Sequence, residues 1–138
     1  MFQRSVLDNG LRVISSSMPG TRSVSIIFFL AAGPVYESTR EAGLSHFIEH
    51  LLFKGTERRP TSKDISEAID GVGGMFNGGT SKEATMYWFK VARPHFALAL
   101  DLLVDMLRHS RFDEEDMERE RQVIVEELNE SLDSPHSR

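Results

Sequence analysis

Two imidazoles and a carboxylate fall within five residues at His46-Phe47-Ile48-Glu49-His50. On a helix, side chains four apart are stacked neighbours, so His46 and His50 can both reach one divalent cation. Glu49 lies on the same side, one residue before one imidazole and three after the other. There its carboxylate can take a proton from an attacking water. The order H-x-x-E-H is that of the inverted zinc-peptidase motif. The sequence has no cysteine, so disulfides and thiolate ligands are both excluded. Any metal must be held by His, Asp, Glu or water.

The motif works only if a helix presents it. It lies in an apolar run, Leu44 to Phe53, with Ser38-Thr39-Arg40-Glu41 before it and Gly55 after it. Ser38 and Glu41 have capping-box spacing, and Gly55 suits a left-handed helix end. Together they predict a helix of about 10–15 residues. His46, Glu49, His50 and Phe53 share one face, while Leu44, Phe47, Ile48, Leu51 and Leu52 cover the rest. No Lys or Arg interrupts the run before Lys54. The pattern reads as a buried helix pointing ligands into a cleft rather than as a solvated face.

A third ligand is expected from the last helix, Glu114 to about Leu132. Most of its glutamates belong in solvent. Periodicity places Glu120, Val123, Ile124 and Glu127 on one face and turns Glu126 toward Gln122, Asn129 and Glu130. Neither Glu120 nor Glu127 has a cation three or four residues away. Buried without partners, such carboxylates cost several kcal/mol each. Coordination offsets that cost, so Glu127 is expected as the third ligand. Glu120 is expected at the catalytic site as a group orienting a ligand or the water. Two neutral His and one Glu leave one coordination position open, the arrangement of catalytic zinc sites.

Around these helices the chain alternates irregularly between strands and helices. Phe2 to Leu7 and Leu11 to Ser16 form a hairpin about Asp8-Asn9-Gly10. Val24 to Ala32, nearly all apolar, reads as a central buried strand. Pro60-Thr61 opens a helix with a Thr61/Asp64 capping box and Gly71 near its end. Met75 to Asn77 and Ala84 to Ala92 are strand-like. Arg93-Pro94 starts a helix whose apolar face is Phe96, Leu100, Leu103, Val104 and Leu107, and Asp113 caps the last one. Asn77-Gly78-Gly79-Thr80-Ser81 reads either as a flexible turn or as a strand edge stripped of side chains. On such an edge a peptide backbone can add, with the Gly79 amide among its donors. The expected class is α+β, a mostly antiparallel sheet covered by helices. Ser134 to Arg138 supplies no closing element, and residues 1–138 read as an incomplete domain.

Composition is ordinary for a soluble globular protein. At 138 residues with 40% hydrophobic and 27% charged side chains, the chain can bury a real core. A net charge of −5 argues against a nucleic-acid partner. The longest apolar run, Ile26 to Ala32, is too short to span a bilayer, and no targeting segment precedes the first strand. A cytoplasmic location is therefore expected.

The chain resembles the N-terminal part of pitrilysin/insulinase-family zinc peptidases, in particular bacterial proteins similar to the mitochondrial processing peptidase β-subunit. The family's H-x-x-E-H is followed by a ligand glutamate some seventy-six residues on; residues 51–126, 76 in all, separate His50 from Glu127 here. Glu120-Arg-Gln-Val-Ile-Val-Glu-Glu127 resembles the family's E-R-x-V-I-x-x-E block. His50 to Thr56, Leu7 to Val13 and Asn77 to Thr85 also read like the family. Ala32 to Glu37 departs from it, since relatives more often have Gly-Ser-Arg followed by an acidic residue.

The resemblance implies a processing-peptidase-like metallohydrolase fold and one Zn2+ per chain on His46, His50 and Glu127, with Glu49 as general base. It further implies an extended or unfolded polypeptide substrate held by Asn77 and the adjoining Gly78–Gly79 edge. Phe53 would line the pocket and Glu83 would support the site. A second homologous domain, or a homodimer partner, would complete it. The alternative is a non-catalytic, partner-binding subunit of the same fold. A related lyase with an H-x-x-E-H helix needs cysteine, which this sequence lacks.

Overall fold

In Thr85–Ala92 burial alternates: Thr85, Tyr87, Phe89 and Val91 are buried, while Met86, Lys90 and Ala92 are exposed. Period-two alternation is that of a strand with one face on a core, and this strand forms the middle of the sheet. The computed structural model describes residues 2–133, with side chains through Glu130. Its elements are β1 (Phe2–Val6), β2 (Arg12–Ser16), β3 (Ser23–Leu30), α1 (Leu44–Leu52), α2 (Ser62–Asp70), β4 (Met75–Thr80), β5 (Thr85–Ala92), α3 (Phe96–His109) and α4 (Glu114–Asp133). Residues 134–138, which supply no closing element by sequence, lie outside the described residues.

Strands β3, β5 and β4 form an antiparallel sheet in that order, and β1 pairs with β2 in a separate hairpin. The class is α+β, as expected. Tyr87, Phe89 and Val91 of β5 pack with Leu52 of α1, Ile65 and Ile69 of α2, and Ala99, Leu102, Leu103 and Met106 of α3. Each large side chain buried here contributes roughly 1.5–3 kcal/mol.

Three expectations need correction. Val24 to Ala32 is not a central strand: β3 lies at the edge, and its Ile27 and Phe29 are 50% and 67% exposed. Its apolar run alternates between a face on the core (Val24, Ile26, Phe28) and a face no described element covers. The buried stripe of α3 is Ala99, Leu102, Leu103 and Met106, with Phe96 exposed and Leu100, Val104 and Leu107 half-buried. That helix is apolar on nearly every side, so spacing alone leaves its rotation open. Finally, α1 is shorter than expected. The Glu41 carboxylate accepts the Ser38 amide and hydroxyl, but the Glu41 amide bonds to the Ser38 carbonyl rather than to its hydroxyl, so only half of the expected capping box forms, closing a separate turn ahead of the helix.

The start of α1 is instead held by Glu37, whose carboxylate accepts the Gly43 and Ser45 amides at 2.7 Å each. An acidic group is favourable at a helix N-terminus, and hydrogen bonds from Ser45 hold the Glu37 carboxyl below its ordinary range. Thus the segment that departs from the family pattern still supplies an acidic cap. Its Gly33 is required, because a Cβ there would lie 2.6 Å from the Ser81 carbonyl oxygen. Gly55 lies two residues past the Phe53 cap and serves a different close approach, against the Pro60 carbonyl.

The remaining expected caps are present. Thr61 and Asp64 form the capping box of α2, and the Asp113 side chain accepts the Glu115 amide at 3.1 Å. The loop after α1 is tied to α3 by buried Asp105, which accepts from Thr56 Oγ1 at 2.8 Å and Arg59 Nη1 at 2.6 Å. Hydrogen bonds from Arg58 and Arg59 hold the neighbouring Asp101 carboxyl down to about 2. Among the described residues, no helix is long and apolar enough to cross a membrane.

Candidate metal centre

Helices α1 and α4 pack together beside the β4 edge. His46 and His50 lie one turn apart on α1, with their Nε2 atoms 3.1 Å apart. Glu127 of α4 brings Oε2 to 3.6 Å from His46 Nε2 and 3.8 Å from His50 Nε2. A tetrahedral zinc ion with ligand bonds of about 2.0–2.1 Å would hold its donors roughly 3.3 Å from one another. Nitrogen, nitrogen and oxygen at 3.1, 3.6 and 3.8 Å therefore fit such an ion closely. Among the described residues, these three form the group whose donor atoms converge for a metal. Glu126, the neighbour that periodicity sets aside, does not join them.

A second contact suits that role. His50 Nδ1 lies 3.1 Å from Glu120 Oε2, and a bond there with Nδ1–H as donor leaves Nε2 as the coordinating atom. Glu120 is buried, and burial alone would raise its pKa. Hydrogen bonds from Lys54 and then His50 outweigh that and hold it below the ordinary carboxylate range.

Two expectations for the glutamates of α4 change. Glu127 is not buried; its side chain is 47% exposed, so an unpaired-burial cost does not explain its position. Its direction on α4 does. Glu120 is buried, but it is not without a cation, because Lys54 Nζ reaches Oε1 at 2.6 Å. Spacing along α4 could not reveal a partner carried at the end of α1. Nor is α1 buried all round: Leu44 and Ile48 are 44% and 37% exposed.

Glu49 stands apart from the converging donors. The Thr80 hydroxyl donates to its Oε2 at 2.5 Å, from the strand that passes under the helix. Sequence reasoning missed Thr80. The signal was present in the period-two pattern of β4, whose Phe76, Gly78 and Thr80 all face α1. The Tyr87 hydroxyl is held well above its ordinary pKa by burial and then by the charge of Glu49.

Gly78 is what lets the strand pass so closely. A Cβ there would lie 2.9 Å from Phe53 Cε2 and 3.3 Å from Glu49 Cγ. Asn77 through Thr80 is strand rather than turn, and β4 is an edge among the described strands. The donors on that edge differ from the sequence expectation. Ser81 N–H bonds to the Ala84 carbonyl, and antiparallel bonding then alternates along the pairs Thr80–Thr85 and Gly79–Met86. This assigns the Gly79 amide to the ladder with β5 and leaves those of Gly78 and Thr80 on the free edge. Gly78 N–H donates to the Asn77 Oδ1 at 2.8 Å. A cleft of about 460 Å3 beside the strand is lined by Phe53, Phe76, Asn77, Lys54 and Lys63. Glu83 lies exposed on the β4–β5 turn and joins no hydrogen bond or ion pair among the described residues.

Residues 12–138 match the sequence profile of Insulinase (Peptidase family M16). The chain is 40% identical over 135 residues to the uncharacterized zinc protease YmxG of Bacillus subtilis, covering 98% of this chain and 33% of that protein. It is 41% identical over 124 residues to a probable mitochondrial-processing peptidase subunit beta of Arabidopsis thaliana, covering 90% of this chain and 23% of that one. The crystal structure of a protease from Helicobacter pylori superposes with a TM-score of 0.92 at 27% identity, over 99% of this chain and 33% of the other. The chain spans about a third of the length of the first of these relatives. It belongs to the insulinase family of peptidases, Peptidase family M16.

Proposed function

We propose that residues 1–138 are the N-terminal part of the catalytic domain of a zinc-dependent endopeptidase acting on extended peptides or unfolded polypeptides. One observation carries this reading. His46, His50 and Glu127 converge at tetrahedral spacing, and a carboxylate that is not one of them, Glu49, lies on the same helix as the two imidazoles. His46, His50 and Glu127 would hold one zinc ion per chain, which when bound acidifies a water and polarises the scissile carbonyl.

Glu49 accepts the proton of the attacking water and returns it to the leaving amine. Thr80 fixes one oxygen of that carboxylate, and Glu120 fixes the His50 ring. The substrate main chain adds along the free edge of β4, and the Phe53 cleft receives a side chain. A homologous second domain, or a second copy, closes the site, and the enzyme works in the cytoplasm. The exposed apolar face of β3 and the threefold greater length of relatives support a larger catalytic domain.

The test uses the intact protein with a denatured polypeptide and with a fluorogenic extended peptide. Cleavage should vanish on chelation and return with about one equivalent of zinc, and residues 1–138 alone should be inactive. An intact protein that binds zinc yet cleaves no unfolded polypeptide would favour the partner-binding subunit instead.

The edge is tested separately. A peptide bound to the inactive Glu49→Gln variant should slow hydrogen exchange at the Gly78 and Thr80 amides, leaving Gly79 unchanged. Unaltered exchange at both would remove β4 from the substrate site.

A further inference from the structure

Gly78 and Gly79 are neighbours on β4, yet only one of them is glycine for a reason inside the chain. Gly78 is, since a Cβ there would lie 2.9 Å from Phe53 Cε2. Gly79 is not. Its φ lies outside the left-handed region. Among the described residues a Cβ on it would meet a single atom within 4 Å, Met86 Cε at an ordinary 3.6 Å. Glycine inside a strand weakens it, through backbone entropy and the missing side chain. Such a position often marks where a ligand or another backbone comes close.

Gly79 lies on the face of the sheet turned away from α1. Its neighbours on that face along the chain are Asn77 and, just past the strand, Ser81. Its partner across the ladder is Met86 of β5, 37% exposed. The Ser81 hydroxyl is turned back to the Ala84 carbonyl at 2.9 Å, and Asn77 Oδ1 to the Gly78 amide at 2.8 Å. This leaves a gap the width of one side chain. Asn77 and Ser81 stand at its ends, Met86 forms its floor, and the free edge of β4 is its mouth.

An antiparallel strand bonded to Gly78 and Thr80 on that edge fills the gap. Opposite Gly79 it places a residue in a non-hydrogen-bonded pair, the kind that brings side chains closest. That side chain points to the same face as Gly79, away from Phe53 and Glu49. An aromatic ring suits the position on two counts. It covers the bare backbone of an edge glycine, and it rests on the thioether end of Met86.

We propose that Gly79 and Met86 are specificity-determining residues, which accept an aromatic side chain from the substrate residue next to the one received by the Phe53 cleft. The inference rests on the reading of β4 as the substrate edge. It adds a second side-chain preference, on the opposite face of the sheet, that the Phe53 cleft cannot supply.

The experiment uses the intact protein and fluorogenic extended peptides that differ only in carrying Phe or Ala at one position, each position near the scissile bond in turn. In the wild type one position should favour Phe over Ala in kcat/KM by about three- to tenfold, the size of a sulfur–aromatic contact with some added burial. Gly79→Val occupies the gap, and Met86→Ala removes its floor. Each should bring that ratio to within about twofold of unity and leave the ratios at other positions in place. Gly79→Val should also raise the melting temperature, because a β-branched residue replaces glycine in a strand. A glycine with a purely structural role would give the opposite shift and would not change one ratio alone.

A ratio that keeps its wild-type value in both variants, or a wild type indifferent to Phe at every position, overturns the proposal. Should Gly79→Val not fold, Gly79→Ala, whose Cβ has room, is read by the same criteria. Failure of the edge itself looks different: bound peptide then leaves hydrogen exchange at Gly78 and Thr80 unaltered. Protection at both amides with unchanged ratios removes only the role given to Gly79 and Met86.

Discussion

Replacing Glu49 by Gln in the intact protein should leave zinc content and peptide binding unchanged while lowering kcat at least about a hundredfold. The carboxamide keeps the size of the side chain and can still hydrogen-bond to Thr80 Oγ1, so the local packing of α1 on β4 survives. What it loses is the ability to accept a proton. General-base assistance is worth about 10²–10⁴-fold, and loss of proton delivery to the leaving amine adds to that. The geometry also separates this effect from metal loss, because Glu49 Oε2 is committed to Thr80 and Glu49 is absent from the converging donors. The assay therefore needs kcat, KM and metal content measured together. Turnover within a few-fold of wild type would sink the mechanism even with the metal in place. Loss of zinc would instead move Glu49 into the ligand set.

The grouping of His46, His50 and Glu127 was legible in the sequence because its information is local or periodic. His46 and His50 are four apart on one helix, and α4 offers one face on which Glu120 and Glu127 both lie. The helix period alone distinguishes Glu127 from Glu126, and the structure brings Glu127 to the histidines. Contacts between elements far apart in the chain were not legible. Lys54 meets Glu120 from 66 positions away, residue 54 against residue 120, and no pattern within either helix encodes that meeting. Thr80 was hidden differently: its segment reads equally well as a turn or as an edge. Only as part of β4 do Phe76, Gly78 and Thr80 share the face that meets α1.

The fold shows the same division. Caps written into three or four residues, Thr61 with Asp64 and Asp113 with Glu115, form where their spacing predicts. Ser38 and Glu41 form only one half of the predicted box and do not start a helix; the Glu37 carboxylate instead accepts the amides that begin it six and eight residues later. Capping-box spacing alone leaves the path of the next residues open. Strand β3 misled through its composition. A continuous apolar run is what a strand covered on both sides would carry, but here only one face is packed. The Ile27 and Phe29 face would suit packing against parts of a longer protein.

Removing any one of His46, His50 or Glu127 should lower the metal content of the intact protein from about one equivalent to background. His46→Ala and His50→Ala each delete a nitrogen donor, and Glu127→Gln replaces an anionic oxygen with a weaker neutral one. A three-donor site with an open position has no spare ligand, so the loss should be close to complete. Two neighbouring variants set the scale. Glu126→Gln leaves both histidines and Glu127 in place and should keep full metal content. Glu120→Gln should weaken zinc binding by about 10–100-fold without abolishing it, since that group acts on the orientation of His50 rather than on the ion. The order expected from metal analysis and competitive titration is therefore Glu126→Gln above Glu120→Gln, and Glu120→Gln above Glu127→Gln. If Glu126→Gln loses zinc while Glu127→Gln keeps it, α4 presents a different face from the one described. The 3.6 and 3.8 Å approaches of Glu127 to the two imidazoles would then not be those of the metal-bound protein.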